Sequence, residues 1–203
     1  GVTWTATFTP TAELIDATNV INLDVTGVSD AAGNAGVGTS NSNNYTINTV
    51  RPTAGIVVTD TSLIVGETSL VTITFSEAVT GFGNADLTIA SGTLSAVATT
   101  DGGITWTATF TPTASISDAT NVITLQNAGV LNGAGNAGVG TTDSNNYAVD
   151  TVRPTATILV ADTSLIIGET SLVTITFNEA VTGFSNADLT IASGTLSAVA
   201  TTD

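Results

Sequence analysis

The side chains of this sequence that could do chemistry are its carboxylates. Seventeen Asp and Glu residues stand beside two Arg residues, and the chain has no Lys, His, Cys or Met. Without His or Cys, it cannot assemble a Ser-His-Asp triad, a Cys-His pair or the usual zinc site. The carboxylates remain suited to general acid–base catalysis or to binding a hard cation such as calcium.

Two arrangements of these acids are typical of enzymes. Asp60-Thr61-Ser62, repeated as Asp162-Thr163-Ser164, follows an apolar strand and is similar to the Asp-Thr-Gly of aspartic proteases. The glycine is missing, and a turn that ends a strand explains the same residues. Glu77 and Asp86 could in principle cleave a glycoside, but that needs a sugar cleft. We expect no enzymatic activity and assign no catalytic residue.

The chain that must position these groups is periodic. Trp4 and Trp106 are 102 residues apart, and Arg51-Pro52-Thr53 returns as Arg153-Pro154-Thr155. Residues 52–101 differ from 154–203 only at positions 55, 57, 59, 65, 76 and 83, and residues 1–51 differ from 103–153 at sixteen positions. A fixed period of this length predicts an array of small domains, each with its own core.

The joint between domains is predicted at residues 49–53 and again at 151–155, where Pro stiffens the connection. It divides the chain into a first half-repeat (1–50), the C-terminal half of a domain, a central repeat (51–152), which is complete, and a last half-repeat (153–203), the N-terminal half of a domain. Only the counterpart of Gly102 is missing between Asp203 and Gly1, so we expect a window on a longer array. The alternative is a protomer whose half-repeats are completed by neighbouring copies.

Composition limits the partners. A formal charge of −15 repels nucleic acid and anionic lipid, because phosphate contacts need clusters of Lys or Arg. No apolar run approaches the roughly 20 residues of a membrane span, so we expect no membrane contact by this segment. Threonine-rich, acidic repeats without lysine or cysteine favour an extracellular location. The expected partners are adjacent copies of the same repeat.

The fold class predicted from periodicity is all-β. Apolar residues alternate with Thr at Ile104–Phe110, which places Ile104, Trp106, Ala108 and Phe110 on one face. Val71, Ile73 and Phe75 alternate in the same way. Further strands are predicted at 54–59, 85–90, 93–99, 120–126 and 145–150, which makes seven short strands and a β-sandwich. A single helical turn is predicted at Ile116–Thr120, and a long mobile loop at Asn132–Asn146.

Several strings carry a resemblance to a known family. Asp30-Ala31-Ala32-Gly33-Asn34, the block from Gly66 to Val79, and Asn84-Ala85-Asp86-Leu87-Thr88 resemble the bacterial immunoglobulin-like tandem repeats of giant secreted surface adhesins. The likeness covers the whole chain. It implies Ig-like β-sandwich domains in a linear array, which form a stalk between a membrane-retained terminus and a distal binding domain. It also implies that calcium can stiffen such arrays.

Calcium needs six to eight oxygen ligands, mostly carboxylate and carbonyl. Asp150 adjoins a joint and Asp162 follows it, so an ion there is one interpretation. The preceding joint has Asn48 in the place of Asp150, and Asp30 becomes Asn132. Surface charge and turn capping are the other interpretation, and no metal ligand is assigned. The acids present in both copies are Asp16/Asp118, Asp60/Asp162, Glu67/Glu169, Glu77/Glu179, Asp86/Asp188 and Asp101/Asp203.

The function predicted from these features is a structural spacer in an extracellular stalk or fibre. Each domain adds length, the Arg-Pro joint limits bending, and Arg51 and Arg153 are expected to cap the joint by pairing with an acid. Two alternatives stay open. One is a self-assembling filament or surface-layer subunit. The other is a carbohydrate-binding module, which needs an exposed aromatic platform.

Overall fold

The computed structural model describes residues 1–201, and within this range the regular structure is β-strand with three single 3-10 turns. The all-β prediction is confirmed. No helix among these residues has the length and apolar character needed to cross a lipid bilayer. The chain divides into two compact units, one ending at Thr151 and the other beginning at Val152.

Nineteen strands are present in the described part of the chain. Those of the first half-repeat are β1 (Ile15–Asn19), β2 (Asn22–Asp24), β3 (Thr39–Asn41) and β4 (Tyr45–Asn48). Those of the central repeat are β5 (Ala54–Val58), β6 (Ser62–Ile64), β7 (Ser69–Phe75), β8 (Val79–Thr80), β9 (Leu87–Ile89), β10 (Gly92–Leu94), β11 (Ala98–Thr99), β12 (Thr105–Pro112), β13 (Ser117–Asn121), β14 (Ile123–Gln126), β15 (Leu131–Asn132), β16 (Thr141–Asp143) and β17 (Tyr147–Asp150). Those of the last half-repeat are β18 (Ala156–Val160) and β19 (Val173–Phe177).

One layer of the central repeat is built on the two longest strands. The order is β10-β12-β7-β5, with β11 also paired to β12. Strand β7 alternates as the sequence predicted: Val71, Ile73 and Phe75 are buried. Strand β12 buries Ala108 and Phe110. Alternation of apolar residues and Thr with a period of two therefore produces a sheet with one buried, apolar face.

The other layer consists of three short groups of strands. They are β13-β17-β6, β16-β14-β9 and β15-β8, and β17 runs parallel to β6. Leu63, Ile123, Leu125, Tyr147 and Val149 from this layer share one hydrophobic cluster with the buried residues of β7 and β12. The central repeat is therefore a β-sandwich with a single core.

Three local predictions need correction. The stretch Ile116–Thr120 is not helical, because Ser117–Asn121 pairs with β17. The register shifts between Asp118 and Asn121, where the Asn121 amide donates to the carbonyls of Asp118 and Tyr147, each at 3.1 Å. Its polar residues stabilise a β-bulge, not a helical turn.

The stretch Asn132–Asn146 is not one long loop, since it contains a hydrogen-bonded turn and β16. Ile104 is 40% exposed, so the inward face begins at Trp106.

The half-repeats retain only part of this architecture. In the first half-repeat, β1 pairs with β4 and β2 with β3, as β13 pairs with β17 and β14 with β16 in the central repeat. In the last half-repeat, β18 pairs with β19 in the register of β5 on β7. Asp203, the counterpart of Asp101, lies outside the described residues.

Candidate functional site

The joint between the first half-repeat and the central repeat is held by a turn of the central repeat. The side-chain nitrogen Nδ2 of Asn132 donates to the Val50 carbonyl at 2.9 Å and to Oε1 of Glu77 at 3.1 Å. The side-chain nitrogen Nδ2 of Asn136 donates to the backbone carbonyls of Asn48 and Val50, each at 3.0 Å. These side chains thus fix backbone groups that would otherwise face water.

The turn at residues 132–137 is suited to this role because its own geometry is fixed. Oδ1 of Asn132 accepts from the backbone amides of Ala134 at 3.1 Å and Asn136 at 2.9 Å. Gly135 has a φ of 86°, a left-handed conformation that glycine adopts without strain. Asn132 is 3% exposed. One amide group therefore uses its oxygen to shape the turn and its nitrogen to hold the joint.

The equivalent turn of the first half-repeat has an acid at this position. Asp30 accepts from the backbone amides of Ala32 at 2.9 Å and Asn34 at 2.8 Å, and its second oxygen accepts from the Asn34 side chain at 2.8 Å. The Asn34 side-chain amide is the main cause that lowers the pKa of Asp30 below its ordinary value, with the Asn34 backbone amide next. Asp and Asn can both shape the turn, but only Asn has a donor for the joint.

Arg51 also contacts this turn. Its Nη1 donates to the Ala137 carbonyl at 2.7 Å, and Pro52 beside it is buried. The expected joint-capping role is therefore fulfilled through a backbone carbonyl, and the prediction of an acid partner is wrong for Arg51. The side-chain amides of Asn132 and Asn136 are not among the predicted site residues, although the exchange of Asp30 for Asn132 is a signal visible in the sequence.

The acids repeated along the chain mostly accept hydrogen bonds from nearby backbone amides. Asp60 accepts from Ser62 at 3.0 Å, and Asp162 accepts from Ser164 at 3.0 Å, so both Asp-Thr-Ser strings form turns. Further contacts of this kind are Asp16 with Thr18, Glu67 with Ile64, Asp86 with Gly83, Asp118 with Thr120, Glu169 with Ile166 and Asp188 with Ser185. A carboxylate used in this way is a turn cap.

Asp101 is the most strongly held of these acids. It accepts from the backbone amides of Ile104 at 3.1 Å and Thr105 at 2.9 Å, and from the Thr99 hydroxyl at 2.9 Å. These hydrogen bonds, with the Thr105 amide first, lower the pKa of Asp101 from 3.8 to about 2. The carboxylate closes the turn that connects the two halves of the central repeat.

The structure does not bring the candidate catalytic or metal-binding acids together. No group of three or more Asp and Glu side chains among residues 1–201 is arranged to hold a metal ion. Glu77 contacts Asn132, whereas Asp86 accepts from Gly83 at 2.9 Å. Trp106 is half-buried, and its ring packs edge-on against the ring of Phe82, with 5.2 Å between the ring centroids. In the central repeat, the Trp106 indole therefore packs against the core and does not form an exposed platform for a sugar.

A model of the bacterial Ig-like domain family matches the chain in three consecutive segments, at residues 1–47, 48–149 and 150–203. The chain belongs to the bacterial Ig-like domain family. A search of the curated proteins finds no match. The bacterial Ig-like repeats suggested by the sequence are thus confirmed, and they form a tandem series. Domains of this family are typically non-catalytic and are commonly extracellular or surface-exposed.

Proposed function

We propose that these bacterial Ig-like repeats are structural spacers in the extended extracellular stalk of a bacterial surface adhesin. The observation that carries the proposal is the set of hydrogen bonds at the joint, residues 49–53, and at Asn48 beside it. Three side chains, Asn132, Asn136 and Arg51, bond the connection between consecutive repeats to a turn of the following repeat. A connection held at several backbone groups resists bending more than a free linker of the same length.

The strand boundaries support this role. Strand β4 ends at Asn48 and β5 begins at Ala54, so the linker is short and contains Pro52 with its fixed φ. A short, clamped linker lets each repeat add a constant length to an array. The partners of a repeat in such a stalk are the adjacent copies before and after it.

The negative net charge of the chain also supports the spacer role. Near-identical repeats invite mispairing between edge strands, and β5 lies at the edge of its sheet. A net charge of −15 on 203 residues opposes the close approach of parallel stalks. The acids that supply this charge have their carboxylates in turns, so the same residues serve folding and solubility.

The test is a series of polypeptides containing two, four and eight tandem copies of residues 51–152, imaged by electron microscopy. We expect contour length to rise in proportion to copy number, with a narrow distribution of bend angles at each joint. Replacing Asn132 and Asn136 by Ala in every copy should broaden the bend angles and leave the length per repeat unchanged. Replacement of Asn43, which lies outside the joint, is the matched control when a first half-repeat is included.

Two results would overturn the proposal. One is a contour length that does not scale with the number of copies. The other is saturable binding of the repeats themselves to glycans or host cells, since a spacer acts only through the domains it separates. Loss of surface adhesion when repeats are deleted from an intact adhesin, with recovery when unrelated Ig-like domains of equal length replace them, would support it.

A further inference from the structure

Asn132, which holds the joint, is followed by glycine, and Asn132-Gly133 is the only Asn-Gly pair in the sequence. An asparagine deamidates when the backbone nitrogen of the next residue attacks its side-chain carbonyl carbon. Glycine in that next position favours the attack most, because it has no side chain to obstruct the approach and adopts a wide range of backbone angles. The asparagine that clamps the joint is therefore also the one whose sequence context most favours deamidation.

The turn that contains this pair favours the reaction on one side of the amide. Oδ1 of Asn132 accepts from the backbone amides of Ala134 at 3.1 Å and Asn136 at 2.9 Å. Deamidation passes through a tetrahedral intermediate in which this oxygen carries negative charge, so the same two amides form an oxyanion hole for it. Among the described residues, the Gly133 amide donates to no other group, and Gly133 is exposed. Its nitrogen is therefore available as the nucleophile.

The hydrogen bonds of Asn132 to the joint oppose the reaction on the other side of the amide. Nδ2, the nitrogen that leaves as ammonia, donates to the Val50 carbonyl at 2.9 Å and to Oε1 of Glu77 at 3.1 Å. These contacts must break before Nδ2 can leave, and burial of Asn132 keeps water from this nitrogen. The closed joint therefore protects the site, and local opening of the joint exposes it.

We propose that Asn132-Gly133 is a self-modification site, at which opening of the joint controls deamidation. The Gly133 nitrogen loses its proton to water and forms a bond to Cγ of Asn132. The Cγ–Nδ2 bond then breaks, and Nδ2 takes a proton from water and leaves as ammonia. Water adds to either carbonyl of the resulting succinimide ring and opens it to aspartate or isoaspartate. Overall, water is consumed and ammonia is released, with no change in oxidation state.

The aspartate product keeps the turn and loses the clamp. Asp30, at the equivalent position of the first half-repeat, accepts from two backbone amides of its own turn at 2.9 and 2.8 Å, so an aspartate is compatible with this turn. A carboxylate has no donor for the Val50 carbonyl, and it repels Glu77. Each reaction therefore removes one clamp irreversibly. The modification is independent of the spacer role, whereas a resulting increase in the flexibility of ageing joints rests on that role.

The primary experiment is peptide mapping of the full chain by mass spectrometry after incubation in mildly alkaline buffer. Conversion of the Asn132 amide to a carboxyl raises the mass of its chymotryptic peptide, and electron-transfer fragmentation distinguishes aspartate from isoaspartate. In urea, Asn132 should react faster than every other asparagine, including Asn41, which precedes a serine. In the folded protein it should react about tenfold more slowly or less, because opening of the joint costs free energy.

Two variants that each lose two hydrogen bonds to the backbone distinguish opening of the joint from a general loss of stability. Asn136→Ala removes both of its bonds to the joint and should accelerate deamidation of Asn132 about tenfold. Asn145→Ala is the matched control. It removes the bonds to Val58, at 2.8 and 3.0 Å, at the C-terminal end of β5, and should leave the rate nearly unchanged. Arg51→Ala, which removes another contact between the joint and this turn, should also accelerate the reaction.

Gly133→Ala tests the chemistry without disturbing the clamp. A Cβ atom added at Gly133 meets no atom within 4 Å, and the equivalent residue of the first half-repeat is Ala31. The variant should keep the urea midpoint of the wild type and should slow deamidation severalfold, since the methyl group hinders ring closure. The proposal is overturned if Asn132 stays an amide in the folded Asn136→Ala protein, if Gly133→Ala reacts as fast as the wild type, or if Asn145→Ala accelerates the reaction as much as Asn136→Ala does.

Discussion

Asn132 and Glu77 meet at 3.1 Å beneath the joint, and the same Asn132 amide nitrogen lies 2.9 Å from the Val50 carbonyl. The contact links three parts of the sequence that are far apart: the joint, the residues after β7, and the turn after β15. Because Asn132 is 3% exposed, its amide is shielded from competing water. A shielded hydrogen bond to a carboxylate contributes more to stability than one on the surface.

Replacing Asn132 by Asp should destabilise the joint at neutral pH. The variant keeps an oxygen for the turn but loses the donor to Val50 and Glu77, and it places a second carboxylate beside Glu77. We expect a loss of about 1–3 kcal/mol in the free energy of unfolding, measured by urea denaturation of the full chain.

Two variants separate the electrostatic cause from a general packing defect. Adding Glu77→Gln to Asn132→Asp removes the facing charge and should recover part of the lost stability. Asp30→Asn makes the reverse exchange in the first half-repeat, where the described contacts of Asp30 stay within its own turn. It should leave the urea midpoint of unfolding nearly unchanged. If Asn132→Asp were as stable as the wild type at pH 7, the amide clamp would be irrelevant to the joint.

Asp101 should determine how the stability of the fold declines at acidic pH. Its pKa in the folded state is about 2, below the ordinary 3.8, because the Thr105 amide and other donors favour the carboxylate. The contribution is therefore complete above about pH 4 and is lost as pH falls from 3.8 toward 2. Asp101→Asn should lower the melting temperature at pH 6 and flatten its decline between pH 4 and 2. Carbon-detected NMR titration of the wild type should place the Asp101 midpoint near 2.

Sequence periodicity was sufficient to predict the all-β class and much of the core. Alternation at Val71, Ile73 and Phe75 follows directly from the two-residue period of a strand, so burial could be assigned without coordinates. The 102-residue offset gave the tandem organisation for the same reason: near-identical sequences adopt the same fold. These features are local or repetitive, and a single chain displays them fully.

The joint was harder to predict because its contacts span more than 80 residues. Asn136 and Val50 come together only through the fold, and an Asn in a Gly-rich stretch usually indicates a turn alone. The bulge at Asp118–Asn121 was missed for a related reason. Its stabilising partner is the Tyr147 carbonyl on another strand, and without that partner the short acidic stretch indicates a helical turn.

Tyr147 should control the alkaline limit of stability. Its hydroxyl donates to the Ala90 carbonyl at 2.5 Å, and burial, the main cause, raises its pKa from 10.0 to about 12. The unfolded state ionises first as pH rises, so this contribution is present below pH 10 and is lost between 10 and 12. Tyr147→Phe should cost about 1–3 kcal/mol at pH 7, because the Ala90 carbonyl loses its donor, and should weaken the alkaline decline. Ultraviolet titration of a Tyr45→Phe protein, in which Tyr147 is the only tyrosine, should give a midpoint near 12.

Gly92 should be the least replaceable glycine of the central sheet. A Cβ atom there would overlap the ring of Phe110 and would lie 2.6 Å from the Thr111 carbonyl oxygen. Phe110 is fully buried and Thr111 contributes backbone, so neither can move without disturbing β12. Gly92→Ala should therefore cost about 1–3 kcal/mol of stability, the usual penalty of overpacking.

Gly55 provides the matched control for Gly92. It also lies in a strand of the same sheet, but a Cβ added to it meets no atom within 4 Å, and its counterpart in the last half-repeat is Thr157. Gly55→Thr should be neutral or stabilising, since Thr favours strands and reduces the entropy of the unfolded chain. Both variants are compared by urea unfolding with Trp106 as the reporter. Equal stability of the two proteins would mean that β10 can withdraw from β12, and the close packing of this sheet would then not be required for the fold.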